Sequence, residues 1–128
     1  MKMRNLQSRD ELEKLKKEEK YLLLDFTAKW CGPCQALTPV LEYLEEDKAY
    51  SKLVIVKIDT DKFNKMSDDY GVKLLPTLCF MRDGKIVERI VGIPKFELLR
   101  SAVREYLGLK NGNIIARALH FGTWRVWG

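Results

Sequence analysis

One histidine and three cysteines are all that 128 residues offer for metal or thiol chemistry. That scarcity narrows the options. A structural zinc takes four ligands, usually two cysteine pairs or one pair with closely spaced histidines, and here only Cys31, Cys34, Cys79 and the distant His120 are present. A zinc site is therefore not expected. Three cysteines are also too few for a small secreted scaffold stapled by several disulfides. No apolar run approaches the roughly 20 residues that span a bilayer. The opening "MKMRNLQSRDELEKLKKEEK" is charged throughout and lacks the apolar core of a secretory signal. These absences place the chain, as an expectation, in a reducing cytoplasm and away from membranes. In that compartment disulfides tend to be catalytic rather than structural.

Length and charge narrow the reading further. The chain suits one domain around one core, and 46% apolar with 32% charged residues is the composition of a folded chain. A formal charge of +5 invites a nucleic-acid partner, but its distribution argues against one. Residues 110–128 carry Lys110, Arg117 and Arg125 with no acid, which leaves 20 basic against 18 acidic residues in 1–109. Such a mixed surface solubilises a domain and offers no sustained basic stripe to follow phosphates.

What is present reads as alternating strands and helices. "QSRDELEKLKKEEK" opens with a capping box, Ser8 as N-cap and Glu11 three residues on, each able to satisfy the other's backbone N–H. A short surface helix follows, with Leu12 and Leu15 as its apolar stripe. "YLLLDF" is a near-continuous apolar run suited to a central strand covered on both faces, and Asp25 interrupts it. "CGPCQALTPVLEYLEE" has Leu37, Val40, Leu41 and Leu44 at helical spacing, and Pro39 inside it removes a donor and predicts a kink. "KLVIVKID" is a second buried strand, and "FNKMSDDYG" a short helix stopped by Gly71. "PTLCFMRDGKIVERIVG" reads as a hairpin turned at Asp83-Gly84, with Pro76 opening its first strand. "KFELLRSAVREYLG" closes the domain as an amphipathic helix with Phe96, Leu99, Val103 and Leu107 on one side and Gly108 as its stop. A short first strand at Met3 to Leu6 completes an α/β layout in which strand–helix–strand units pair in parallel and the hairpin adds an antiparallel edge.

After Gly108 the composition changes. "LKNGNIIARALHFGTWRVWG" holds a turn signal at Asn111-Gly112 and two of the three tryptophans in its last five residues. The expected organisation is one domain over 1–109 and a tail over 110–128, either a family-specific extension, a disordered segment or vector-derived sequence.

The chemistry concentrates in "TAKWCGPCQ". With zinc and an inert staple disfavoured, a redox pair fits the place where a central strand ends and a helix begins. Cys31 falls at the helix N-terminus, where free N–H groups and the macrodipole favour an anion and so a nucleophilic thiolate. Cys34 lies one turn further in, on the same side and less exposed. Proline is well placed early in a helix because the N–H it gives up had no partner. Gly32-Pro33 thus holds two sulfurs within bonding reach without blocking approach to Cys31.

Together, "DFTAKWCGPC", the downstream "KID" and "LPT…DG…VG" resemble the thioredoxin family over residues from about 3 to 108. The resemblance implies the thioredoxin fold, a central mixed β-sheet with helices on both faces. It implies a protein-disulfide reductase that binds no cofactor and works through a redox-active Cys31–Cys34 disulfide. Cys31 would attack a client disulfide and Cys34 would resolve the mixed disulfide. Asp25 matches a buried carboxylate below the cysteines and Lys57 its partner. Trp30 would border the substrate groove, Pro76 matches a cis-proline facing the cysteines, Leu75 would offer backbone to an extended client, and Gly92 matches a glycine on the far rim. The implied partners are disulfide-containing client proteins and a thioredoxin reductase or an equivalent dithiol donor. The protein is expected to act as a monomer.

The residues by themselves leave alternatives open. An acid within "YLLLDF" is either buried with a raised pKa, suited to taking a proton from Cys34, or a strand-end residue facing solvent. Pro76 by itself favours an ordinary trans bond, since cis is only about 5–6% of X–Pro bonds. Cys79 reads as a small core hydrophobe. Thr27 stands where many family members have tryptophan, and Leu74, Leu75 and Ile93 make the groove more apolar than usual. The competing function from another class is a binding module whose cysteines are dispensable.

Overall fold

The computed structural model describes residues 3–109 and 124–126. In chain order the elements are β1 (Arg4–Asn5), α1 (Arg9–Glu18), β2 (Tyr21–Thr27), α2 (Gly32–Glu46), a 3-10 turn (Lys48–Tyr50), β3 (Leu53–Asp59), α3 (Asn64–Asp69), β4 (Thr77–Arg82), β5 (Lys85–Val91), α4 (Phe96–Tyr106) and β6 (Trp124–Val126). The strands form one mixed sheet in the order β1-β3-β2-β4-β5-β6. β2 pairs in parallel with β3 and antiparallel with β4, so it is bonded along both edges.

Side-chain alternation along β2 builds two cores, one on each face of the sheet. Leu22, Leu24 and Phe26 pack with Leu12 and Leu15 of α1 and Met66 of α3. Leu23 points the other way, into a cluster with Leu37 and Leu41 of α2 and Leu99 and Val103 of α4. Asp25 shares the Leu23 face by the same alternation, which aims its carboxylate at α2. This is how a one-residue interruption of an apolar strand becomes a buried acid under the cysteine helix.

The turn signals act where the sequence put them. Asp83 and Gly84 both take positive φ, 52° and 79°, as a two-residue hairpin turn with the strands' own twist requires. Ser8 Oγ accepts from the Glu11 N–H at 3.1 Å. The reciprocal half of the expected capping box differs: Glu11 Oε1 accepts from the N–H of Gln7, not of Ser8. α2 continues through Pro39 to Glu46.

Two expectations for α4 and beyond need correction. Phe96 leaves the core: it is exposed at the first turn and meets Tyr43 edge-on at a centroid distance of 5.3 Å. Tyr106, absent from the predicted stripe, is buried instead, while Leu107 is only half-buried. The Tyr106 hydroxyl accepts from the Leu22 N–H at 3.0 Å and donates to the Met81 carbonyl, so it needs a place inside where β2 and β4 meet. Beyond α4, β6 lies parallel to β5, with Ile90 opposite Arg125. The sequence reading has no strand there. The turn signal at Asn111-Gly112 and His120 lie outside the described residues.

Candidate functional site

Cys31 is the N-cap of α2, and its Sγ accepts the Cys34 N–H at 3.2 Å. The helix therefore presents one of its free donors to that sulfur, which is the local basis for stabilising negative charge there. Cys31 and Cys34 are joined as a disulfide with their Cα atoms 5.3 Å apart. Cys34 is fully buried, whereas Cys31 retains 5% exposure. Pro33 occupies the first helical turn, and no heavy atom outside its chain neighbours lies within 4 Å of where a Cβ on Gly32 would stand. Cys31, Gly32 and Pro33 together line a groove at the surface. Behind it, the Ala28 carbonyl takes both the Cys31 N–H at 3.2 Å and the Gln35 side-chain amide at 3.0 Å, fixing the strand-to-helix turn.

The opposite wall comes from the loop before β4. The Leu75–Pro76 peptide is cis, and Leu75 packs on Ala28, Cys31 and Cys34. Gly92, at φ 90°, donates its N–H to the Pro76 carbonyl at 2.8 Å, which brings the end of β5 onto the same loop. A groove of about 680 Å³ runs past the disulfide between Trp30 and Leu74. Trp30 is 71% exposed and Leu74 61%, an apolar rim free to meet another chain. The Trp30 indole N–H donates to Asp61 Oδ2 at 2.9 Å.

Under the helix, Asp25 is wholly inaccessible to solvent, which removes the alternative of a solvent-facing strand end. Burial pushes its carboxyl up to about 7 from an ordinary 3.8, and the charge of Lys57 opposes only part of that rise. Asp25 and Lys57 are register partners on adjacent parallel strands. Lys57 Nζ donates to Thr38 Oγ1 at 2.8 Å, and Thr38 lies one turn beyond Cys34 on α2. Leu75 and Lys57 thus contact α2 near the cysteine pair, Asp25 is beside Lys57 in register, and Pro76 and Gly92 are joined to each other next to Leu75. Cys79 stays apart: buried on the far face of β4, its thiol is pushed up to about 11. No cluster of three or more metal-ligating side chains occurs among the described residues.

Two contacting residues escaped the sequence reading. Thr38 is four positions after Cys34, and that helical spacing was the available signal. Asp61 follows β3 in a turn built on Asp59, whose carboxylate accepts the Asp61 N–H at 2.9 Å. Nothing in one sequence connects that turn to Trp30.

The chain is similar to known proteins in both sequence and fold. The family model for thioredoxin matches residues 3–105. The thioredoxin of Bacillus subtilis (strain 168) is 44% identical over 89 residues, 70% of this chain and 85% of that protein. The thioredoxin of Mycoplasmoides gallisepticum is 38% identical over 97 residues, 75% and 95% of the two chains. Among solved structures, a mutant thioredoxin from Halobacterium salinarum NRC-1 superposes with a TM-score of 0.77 at 34% identity, covering 86% of this chain and 95% of that one. Fasciola hepatica thioredoxin gives 0.73 at 34% identity, covering 81% and 99%. A helix-capping cysteine bonded to its neighbour one turn on, in this fold and among these relatives, has one reading: the chain belongs to the thioredoxin family and is a thiol–disulfide oxidoreductase that reduces protein disulfides.

Proposed function

We propose that Cys31 is the attacking thiolate and Cys34 the resolving thiol. The observation that carries this is the Cys34 N–H directed at Cys31 Sγ on the floor of an open groove, with the Cys34 side chain sealed beneath. In the reduced protein the Cys31 thiolate attacks one sulfur of a client disulfide. The client S–S bond breaks, a mixed disulfide forms, and the displaced client sulfur leaves as thiolate and takes a proton from water. Cys34 then gives its proton to the Asp25 carboxylate and attacks Cys31. The Cys31–Cys34 bond forms, the mixed disulfide breaks, and the second client sulfur departs as thiolate and takes a proton from water, while Asp25 returns its proton to solvent. Two electrons pass to the client, and a thioredoxin reductase or an equivalent dithiol donor restores the pair.

Gly32 and Pro33 set the spacing of the sulfurs, and Lys57 moderates the charge on Asp25. Trp30, Leu75, Pro76 and Gly92 form the client-binding groove, with exposed Leu74 and Ile93 favouring clients that present apolar side chains beside their disulfide. The setting we propose is the cytoplasm, with the protein acting as a monomer. Reduction of insulin by dithiothreitol, followed by turbidity, tests the catalytic role. Absence of turnover by a folded protein would favour a binding module instead.

The catalytic domain is proposed to be residues 1–109. Removal of residues 111–128 is expected to leave insulin reduction within about twofold. It should change the melting temperature by no more than about 4 °C, the effect of roughly 1 kcal/mol in a domain of this size. A larger fall would make β6 and its neighbours part of the working fold.

A further inference from the structure

One hydrogen bond under the cysteine helix has no part in the steps above. Lys57 Nζ donates to Thr38 Oγ1 at 2.8 Å, and that hydroxyl turns toward the Cys34 carbonyl oxygen, 3.5 Å away. A buried carboxylate on the neighbouring strand is a stronger acceptor for an ammonium than a neutral hydroxyl. Yet neither oxygen of Asp25 has a hydrogen-bond partner among the described residues. The lysine next to it in register is held by the helix instead.

We propose that Thr38 is a positioning residue for the resolving step: its hydroxyl holds the Lys57 ammonium away from Asp25, keeping that carboxylate a base strong enough to take the Cys34 proton. This rests on the reading of Asp25 given above. The groups facing Asp25 come from three elements. Lys57 on β3 is the charged one, β4 places uncharged Leu78 opposite, and α2 enters through the Thr38 hydroxyl that holds Lys57. Among the described residues Lys57 is the charge that acts on Asp25, so its position decides how far the carboxylate is stabilised. An opposite charge brought to contact lowers a carboxyl pKa by roughly 1–3 units. With Lys57 held on the hydroxyl, burial outweighs the lysine's charge and leaves the carboxyl at about 7, where a base serves best. The hydroxyl suits this task because it does two things at once. Donating to the Cys34 carbonyl leaves its lone pairs for Lys57, so the lysine is anchored to the residue whose proton is to move.

The test is a pair of substitutions in the full chain. Thr38→Val keeps the shape and removes the hydroxyl, leaving Lys57 without that acceptor and free to close on Asp25. Thr38→Ser keeps the hydroxyl. Carboxyl-carbon NMR reads the Asp25 titration directly, and stopped-flow release of client from the mixed disulfide reads the step. In Thr38→Val the Asp25 midpoint is expected to fall by roughly one unit or more, with the pH profile of release shifted down by the same amount and its plateau rate lowered about threefold. Thr38→Ser should titrate and turn over as the parent does. A Thr38→Val protein with the parental midpoint, or a Thr38→Ser protein shifted as far as Thr38→Val, overturns the proposal. Should valine disturb folding by circular dichroism, Thr38→Ala removes the same acceptor with a strong helix former. Asp25→Asn run in parallel separates the two ideas. If its release kinetics keep the parental pH profile, Asp25 is not the base, while the NMR midpoint still decides whether Thr38 places Lys57.

Discussion

Cys31→Ser is expected to reduce no protein disulfide above about 1% of the parental rate, whereas Cys34→Ser should react once and then stay bonded to its client. The asymmetry follows from the two environments. Cys31 caps α2 and receives the Cys34 N–H, so its thiolate is the form the helix end favours. A serine hydroxyl in that place is almost wholly protonated at neutral pH and is a far weaker nucleophile. Cys34 is buried with its sulfur bonded to Cys31; its loss leaves attack intact and removes the route out of the mixed disulfide. Mass spectrometry of the trapped adduct and single-turnover kinetics measure both outcomes. Release of client by Cys34→Ser at the parental rate would show that the two roles have been assigned the wrong way round.

Asp25→Asn should slow release of the mixed disulfide by about a hundredfold at neutral pH, the low end of what a positioned general base contributes. It should also stabilise the fold. Burial holds the folded-state carboxyl at about 7, well above its ordinary 3.8. The sign follows directly: a carboxyl with a raised folded pKa is no burden while neutral in both states, and destabilises progressively as pH rises from about 4 to about 7. Above that window the burden is complete. At about 1.4 kcal/mol per unit, the gap sets an upper limit near 4 kcal/mol. An amide in the same place has no charge to desolvate but brings donors that need partners, so a gain of about 2 kcal/mol is expected above neutrality and close to none at about pH 4. Chemical denaturation across that range measures it. A variant no more stable than its parent at about pH 8 would mean that Lys57 already neutralises the acid in the folded state.

How much of this was legible in the sequence varies with the range of the interaction. Local rules were enough for the strand at "YLLLDF", the helix opened by Cys31, and the turns at Gly71, Asp83-Gly84 and Gly108, because each is set by neighbours in the chain. Periodicity also left Asp25 two readings, and only its complete burial chose between them. What the sequence could not carry was tertiary. Phe96 matched the apolar stripe of α4 by spacing, but it lies at the helix's first turn, away from the sheet, and packs on exposed Tyr43 instead. Tyr106 is inside because its hydroxyl bridges backbone groups of two strands, a fact invisible to any count of apolar residues. The Thr38–Lys57 bond spans 19 positions and joins a helix to a strand. The cis bond at Pro76 ran against what its sequence alone favours.

The placement of Asp25 on β2 has a consequence for how the molecule breathes. β2 is hydrogen-bonded along both edges and covered on both faces, so its amides should exchange with solvent deuterons only through opening of the whole domain. Trp30 and Leu74, by contrast, stand outside the sheet with most of their side chains exposed. The groove's rim is therefore open to clients while the acid is carried by the strand that opens last. No local fluctuation can relieve its charge by hydrating it. Ionisation of that single carboxyl must then act on the slowest-exchanging amides of the protein. Their exchange should quicken as pH rises from about 4 to about 7 by more than the ordinary base-catalysed increase, and follow that increase alone above it.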